Sequence, residues 1–403
     1  MYILVINAGS SSLKYQLFDI NNNQVLAKGL AERIGISGSR IKHQYKKNNT
    51  ESETIVEKPL PNHTAAFEII SSLLADKDLG VISSLDEISA VGHRIVHGGE
   101  KFVTTQVITQ EVKNTIKALI PLAPLHNPPN LVGVEAAERN FPAAVQVAVF
   151  DTSFHHTIPE KAFRYAIPEK YYTENGIRVY GFHGTSHKYV YNEARKYLNK
   201  ENLKAITIHL GNGSSMTAID GKGHSVDTTL GFGPLCGLIM GTRSGDIDPS
   251  IIFHMEEEMG IPLKEIKTML NKESGMLGIA GSSDARDVRA KYEQGDKNAI
   301  LCYEMYGYRI RKYIGAYTAI LNGIDAIIFT AGLGENDPLT RTYACKELEA
   351  LGIQINEEAN QSKNHPQKPV EIQSANSKVK ILVIPTNEEL EIARETYVLV
   401  KKR

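Results

Sequence analysis

Asn7-Ala-Gly-Ser-Ser-Ser-Leu-Lys14 lies between two apolar runs, Ile3 to Ile6 and Leu13 to Ile20. Such runs, joined by so few residues, read as two strands and a tight turn. Gly9 allows a backbone bend that a side chain would block, and Ser10, Ser11 and Ser12 bring hydroxyls and neighbouring N–H groups that an anionic oxygen can use. Lys14 adds a point charge. Taken alone, the stretch also fits an ordinary Ser-rich hairpin. Recurrence decides between the two readings: Ala205-Ile-Thr-Ile-His-Leu-Gly-Asn-Gly-Ser-Ser-Met-Thr-Ala-Ile-Asp220 repeats the grammar of apolar strand, Gly-Ser-Ser turn, strand and Asp. A duplicated α/β protein with one phosphate-type hairpin in each half is expected, the two loops facing each other across a cleft and gripping one nucleotide tail.

Bulk properties narrow the field. The chain has 403 residues, enough for two domains with substantial cores. Lys and Arg total 45 against 46 Asp and Glu, so no global field recruits nucleic acid or an anionic membrane, and any anion must be bound locally. No apolar run reaches the roughly eighteen residues of a membrane span, and the first residues enter a strand without a signal-peptide layout, so a cytoplasmic protein is expected. The three cysteines, Cys236, Cys302 and Cys345, are scattered and read as free thiols rather than a disulfide framework or a zinc site.

Along the chain, Asn21-Asn-Asn23 and Lys46-Lys-Asn-Asn49 mark turns between short strands, and residues 63 to 75 look helical. Ile88 to Val96 is an apolar strand ending in His93-Arg-Ile-Val-His-Gly-Gly99. Val112, Ile116, Leu119 and Ile120 share one helical face before the stiff turn Pro121 to Pro129. Leu131 to Asn140 reads as a helix, then Ala144 to Phe150 as a buried strand that delivers Asp151 to the sheet's carboxyl edge, where ligands sit in open α/β sheets. Thr185 or Ser186 can cap a helix running to about Leu198. His183 and His187 have the spacing of a zinc pair, but no Glu-x-x intervenes and no third ligand is evident, so metal ligation is the minor reading. Arg243 stands in a Gly-rich loop before a helix started by Asp248 and Pro249. Ser274 to Asp287 reads as a small-residue loop, Asp296 to Asn322 as a long helix, and Ile324 to Thr330 as a buried strand ending in the Gly-rich loop Ala331 to Asn336. Lys380 to Pro385 is a strand, and Thr386-Asn-Glu-Glu389 is a capping box opening the last helix.

Two common nucleotide motifs are absent. Gly221-Lys222 lacks the upstream glycine and following hydroxyl of a Walker loop, and Gly211-Asn-Gly213 continues Ser-Ser-Met rather than the dinucleotide fingerprint. Twin phosphate hairpins with a late strand and Gly-rich loop resemble instead the superfamily of acetate and sugar kinases, heat-shock chaperone ATPases and actin. That resemblance implies a duplicated two-domain actin-like ATPase (ribonuclease H-like) fold. It places an N-terminal domain at 1–151 plus 386–403 and a nucleotide-binding domain at 152–385. Asn7 to Lys14, His93 to Gly99, Ala123-Pro-Leu-His-Asn-Pro-Pro129, Phe150-Asp-Thr152, Phe182-His-Gly-Thr-Ser-His187, His209-Leu-Gly-Asn-Gly213, Gly241-Thr-Arg-Ser-Gly-Asp-Ile-Asp-Pro249 and Thr386-Asn-Glu-Glu-Leu390 are together similar to the acetate kinase family, in order and spacing, over nearly the whole chain.

The resemblance implies reversible transfer of the ATP γ-phosphoryl to acetate, giving acetyl phosphate and ADP. A carboxylate nucleophile is already ionised at neutral pH, so catalysis reduces to alignment and charge neutralisation. By the same resemblance, Arg94 holds the acid, Arg243 and His183 steady the transferring group, and Asp151 orients the metal's water or the attacking carboxylate. Asn7 and Glu388 take Mg2+, with Mn2+ as an alternative ion. Ser10, Ser12 and Lys14 lie by the phosphates, with His209, Leu210, Gly211, Asn212 and Gly213 opposite. Asp284, Ala285, Arg286 and Gly332, Leu333, Gly334, Glu335, Asn336 hold the nucleoside. Val96, Leu125, Phe182 and Pro234 form the apolar acid pocket, and a homodimer is expected.

This chain departs from the family pattern twice. The stretch Gly-Phe-Thr-Pro-Leu-Glu-Gly of the family reads Gly231-Phe-Gly-Pro-Leu-Cys-Gly237, and the Ser274 to Asp284 segment is one residue shorter. One methylene changes binding in an apolar pocket by only about 1–3 kcal/mol, so a propionate kinase is the neighbouring alternative. A chaperone-like or actin-like ATPase is the non-kinase one, disfavoured because no substrate module follows the last helix.

Overall fold

The structure, a computed structural model, describes residues 1–47, 50–362 and 366–402. Asn48 and Asn49 of the expected turn at Lys46 to Asn49 lie outside the described residues. The chain divides into two compact units, residues 1–153 with 387–403 and residues 154–386.

The first unit is built on an eight-stranded sheet of β1 (Tyr2–Ala8), β2 (Ser12–Asp19), β3 (Gln24–Glu32), β4 (Arg40–Lys47), β5 (Thr50–Glu57), β6 (Ile88–Ile95), β7 (Gln106–Val107) and β8 (Val145–Phe150). The strands lie in the order β5-β4-β3-β2-β1-β6-β8-β7. β1 pairs antiparallel with β2 and parallel with β6, and β6 pairs parallel with β8. The second unit carries β9 (Ala205–Leu210), β10 (Ser214–Ile219), β11 (Ser225–Thr228), β12 (Ala326–Thr330), β13 (Val370–Glu371) and β14 (Lys380–Val383), ordered β11-β10-β9-β12-β14-β13. Again β9 is antiparallel to β10 and parallel to β12, which is parallel to β14. Strip the additions and both sheets read third, second, first, fourth, fifth with the same directions. The repeat seen in sequence is therefore a repeat of topology.

Burial explains why the strands read as they do. Every residue of β9, β10 and β12 is buried, as both faces of a sheet require when helices cover them. In the second unit one face packs Val190, Tyr191 and Ala194 of the helix Gly184–Tyr197, and the other packs Tyr303, Tyr306, Ile310 and Ile314 of the helix Lys297–Ile320. In the first unit Ala136 and Ala137 of the helix Asn127–Asn140 join Phe67 and Ile70 of the helix His63–Leu74 on one face. The last helix, Glu388–Lys401, crosses β6 at Gly92, where a β-carbon would stand 2.5 Å from Thr396 Oγ1. Glycine is what lets the helix settle there.

Five local expectations are corrected. The segment 274–284 is not all loop: Gly275–Ala280 is helical, ended by Gly281 at φ 72°. Ala331–Asn336 is likewise a short helix. The helix at 184 is preceded by His183 in the left-handed region (φ 55°), and Thr185 and Ser186 are buried within its first turn rather than capping it. The last helix is capped by Asn387, whose side chain accepts from Leu390 N, while Thr386 turns its hydroxyl to Ser186. The helix expected from Leu131 begins at Asn127, because Pro128 and Pro129 occupy first-turn positions whose missing N–H groups have no helical partner to lose.

Candidate active site

In the first unit the site grows from strand ends. β1 and β2 leave only Gly9, Ser10 and Ser11 between them, closed by Gly9 N donating to Ser12 O at 2.8 Å. Asn7 pairs with Lys14 across the ladder, so both project from the same face. Ser10 and Lys14 are exposed and Ser12 half-buried. His63 Nε2 donates to Gly9 O at 2.7 Å and ties the turn to the first helix.

β6 and β8 run parallel, and Arg94 and Asp151 emerge at their carboxyl ends. Arg94 Nε and Nη2 donate to the Asp151 carboxylate at 3.0 and 2.6 Å, and Asp151 is almost wholly buried. That uses one edge of the planar guanidinium and leaves the Nη1/Nη2 edge for a second carboxylate. Glu388, at the first turn of the last helix, lies 3.9 Å from Arg94 Nε. Burial lifts the Glu388 carboxyl to about 7, against the pull of Arg94; Asp151 and Glu389 add to the rise and Lys14 opposes it. A half-buried carboxylate raised in this way, beside a second carboxylate, suits a cation. The amide of Asn7, on β1, would add a second hard oxygen donor of the kind that magnesium takes.

Two asparagines with no role assigned from sequence hold this edge together. Asn130 accepts from Val96 N at 3.0 Å and donates to Ala8 O at 2.8 Å; Asn127 accepts from His97 N and donates to His97 O. Val96 is half-buried, and Leu125, in the turn before that helix, is 72% exposed.

In the second unit the β9–β10 turn is again three residues, Gly211, Asn212 and Gly213, closed by Gly211 N donating to Gly213 O at 3.1 Å. A β-carbon on Gly213 would lie 3.2 Å from His183 Nε2 and 3.4 Å from Arg243 Nη1. Both heads therefore converge on bare backbone. Arg243 is half-buried, its Nη1 donating to Pro234 O at 3.1 Å, and among the described residues no carboxylate pairs with it. Burial without a counter-charge lowers its pKa, so an anion there would be bound strongly. His183 stacks on His209, ring centres 4.4 Å apart, and His209 Nδ1 meets Ser186 Oγ at 2.8 Å. Both ring nitrogens of His187 are taken by the hydroxyls of Thr207 and Ser215, which removes it from any zinc pair. Phe182 is buried and Pro234 half-buried.

Beside this turn lies a cavity of about 870 Å³. Of the expected nucleoside residues, Asp284, Ala285, Arg286, Gly332, Leu333 and Asn336 line it, together with Leu210, Gly211 and Asn212 of the expected phosphate turn. Gly334 and Glu335 do not. Gly334 O accepts from the buried Arg341 at 2.8 Å, and Glu335 Oε1 accepts from Ala331 N and Thr386 N at 2.7 and 2.9 Å, bracing the turn from behind. Asp284 caps the following helix and grips Arg286, whose hydrogen bonds hold its carboxyl down near 2. The sequence reading missed Arg289, Tyr303, Tyr306 and Asp337 in the lining. Tyr303 and Tyr306 sit among apolar residues of the long helix Lys297–Ile320, which is also how a core looks, while Arg289 lies on the short helix Ala285–Glu293 and Asp337 caps the helix Pro338–Cys345.

The sequence profile described as the acetokinase family matches residues 2–394. The chain is 53% identical over its whole length to an acetate kinase of Clostridium beijerinckii, and 52% identical over its whole length to one of Dictyoglomus thermophilum, each relative also covered completely. This chain belongs to the acetokinase family. Among solved structures, Porphyromonas gingivalis acetate kinase superposes with TM-score 0.92 at 44% identity, covering 99% of each chain. A propionate kinase from Francisella tularensis superposes at 0.90 with 41% identity, over 98% of this chain and 99% of its own. An acetokinase is a kinase of the actin-like α/β fold, and the twin sheets here are that fold's two halves. No helix among the described residues is long and apolar enough to cross a membrane.

Proposed function

We propose that this acetokinase catalyses reversible, Mg2+-dependent transfer of the ATP γ-phosphoryl to acetate, forming acetyl phosphate and ADP by direct in-line displacement. The supporting observation is the convergence of the His183 and Arg243 heads over Gly213, beside the cavity lined by the Gly211 and Gly332 turns. Nucleoside in that cavity would bring its phosphate tail to the β9–β10 turn, where two donors meet developing charge. Arg94, with one edge on Asp151, presents its other edge to the acid's carboxylate, one oxygen of which attacks phosphorus as the bond to the ADP oxygen breaks. Asp151 thus acts by orienting Arg94. Asn7 and Glu388 are the residues that would hold magnesium, which supplies charge neutralisation on the phosphates. Ser10, Ser12 and Lys14 offer donors to the same tail.

Propionate is the second reading. A β-carbon at Gly233, where the family pattern has Thr, would meet no atom within 4 Å, so the space next to Pro234 in the chain is open to a longer acid. Comparing kcat/KM for acetate, propionate and butyrate by trapping the acyl phosphate with hydroxylamine tests both readings. Acetate leading by tenfold or more selects the first, and propionate equal or ahead selects the second. No acyl phosphate with any acid would overturn both and leave an ATPase. A homodimer in the cytoplasm completes the reading, and the mass in solution tests the dimer.

A further inference from the structure

Beneath the β9–β10 turn runs a chain of four side chains that starts at the half-buried His183. His183 Nδ1 lies 2.8 Å from Ser215 Oγ; Ser215 Oγ lies 2.7 Å from His187 Nε2; His187 Nδ1 lies 2.7 Å from Thr207 Oγ1. Ser215, His187 and Thr207 are fully buried. Among the described residues Thr207, on β9, has no other side-chain hydrogen bond, and Ser215, on β10, has only its two histidines. The direction of every proton follows from that. A buried hydroxyl with one partner must donate to it, because an unsatisfied O–H costs about 1–3 kcal/mol. Thr207 therefore donates to His187 Nδ1. Burial keeps His187 neutral, its pKa far below the usual range, so its single proton sits on Nε2 and goes to Ser215 Oγ. Ser215 then donates to His183 Nδ1.

We propose that Thr207, His187 and Ser215 are positioning residues that lock His183 in the tautomer with its proton on Nε2, the nitrogen facing Gly213 and the reacting phosphoryl group. Reversing the chain would put a lone pair there, opposite phosphate oxygens, and would leave the Thr207 proton without an acceptor. The three residues touch no substrate. They act by deciding which His183 nitrogen donates, an assignment that rests on the kinase reading for its consequence but not for its geometry.

The test has two arms. In the first, 15N-histidine-labelled protein is read by long-range 1H–15N correlation without substrate. The expected signature is neutral His183 protonated at Nε2, and protonation at Nδ1 overturns the proposal whatever the protein catalyses. In the second, Thr207→Val removes the hydroxyl at constant shape. The expected result is a kcat lower by about tenfold or more, KM for ATP and acid within twofold, a folded enzyme and a shifted His183 tautomer signal. Thr207→Ser restores both readouts. A Thr207→Val enzyme with unchanged kcat and signal overturns the relay. Should that variant fail to fold, Ser215→Ala carries the same expectation. If the wild-type enzyme makes no acyl phosphate the kinase reading falls, while the spectroscopic arm still decides the relay.

Discussion

Asp151 and Arg94 form the tightest charge pair of the first unit's site, with two hydrogen bonds on one guanidinium edge. Asp151→Asn keeps the shape but removes the charge that holds the fork. A reduction of about 10- to 100-fold in kcat/KM for the acid is expected, with KM for ATP within twofold in steady-state assays. Arg243 differs, since burial without a counter-charge marks it for a transient anion. Arg243→Ala should lower kcat on the order of 10³ while nucleotide binding by calorimetry stays largely intact. Arg243→Lys should recover little, because an ammonium lacks the planar fork. Near-normal turnover in either variant would remove Arg243 from the mechanism. These arginines stood out in the sequence beside glycine-rich turns. Glu335 stood out for the same reason, yet its carboxylate serves the backbone of Ala331 and Thr386 instead of lining the cavity.

Elements meet through a few polar side chains, which local sequence does not announce. The helix Asn127–Asn140 is pinned to the ends of β1 and β6 by Asn130, which satisfies Val96 N and Ala8 O at once. Asn130→Ala leaves both backbone groups without that partner, so stability should drop by about 2–3 kcal/mol in urea unfolding, with an unchanged m-value. In the second unit Arg341, wholly buried, donates to Gly334 O and to Asn360 Oδ1 and O. It holds the short helix Ala331–Asn336 in shape from behind, a role invisible in a lone arginine on a short helix. Helix starts failed for a related reason. Ser186 and Thr386 have cap-forming side chains, but their hydroxyls bond each other and His209 across the fold, and that contact outcompetes the local one.

At the scale of the whole molecule, acid sensitivity follows from buried histidines. His93, held by Gln146, and His97 are both pushed down to about 4 by burial. Their folded pKa lies below the unfolded 6.5, so the unfolded chain binds more protons between those values. The stability they contribute is complete above pH 6.5 and is lost as pH falls toward 4, up to about 3 kcal/mol each. Urea midpoints should therefore fall steeply from pH 6.5 to 4.5, and a flat profile there would contradict the neutral assignment. What the sequence by itself determined was the repeat: strand periodicity and paired Gly-Ser-Ser turns are local, and hairpins closing within three residues need nothing distant. From it came the topology of both sheets, while the roles of Arg94, Asp151, His183 and Arg243 came from the family resemblance of the motifs that carry them. Only tertiary structure decided which edge of Arg94 stays free, which turn residues face the cavity, and how Thr207, His187 and Ser215 direct a proton. Those outcomes depend on hydrogen bonds between residues far apart in the chain, where burial leaves each polar atom few partners and the choice among them is made by packing.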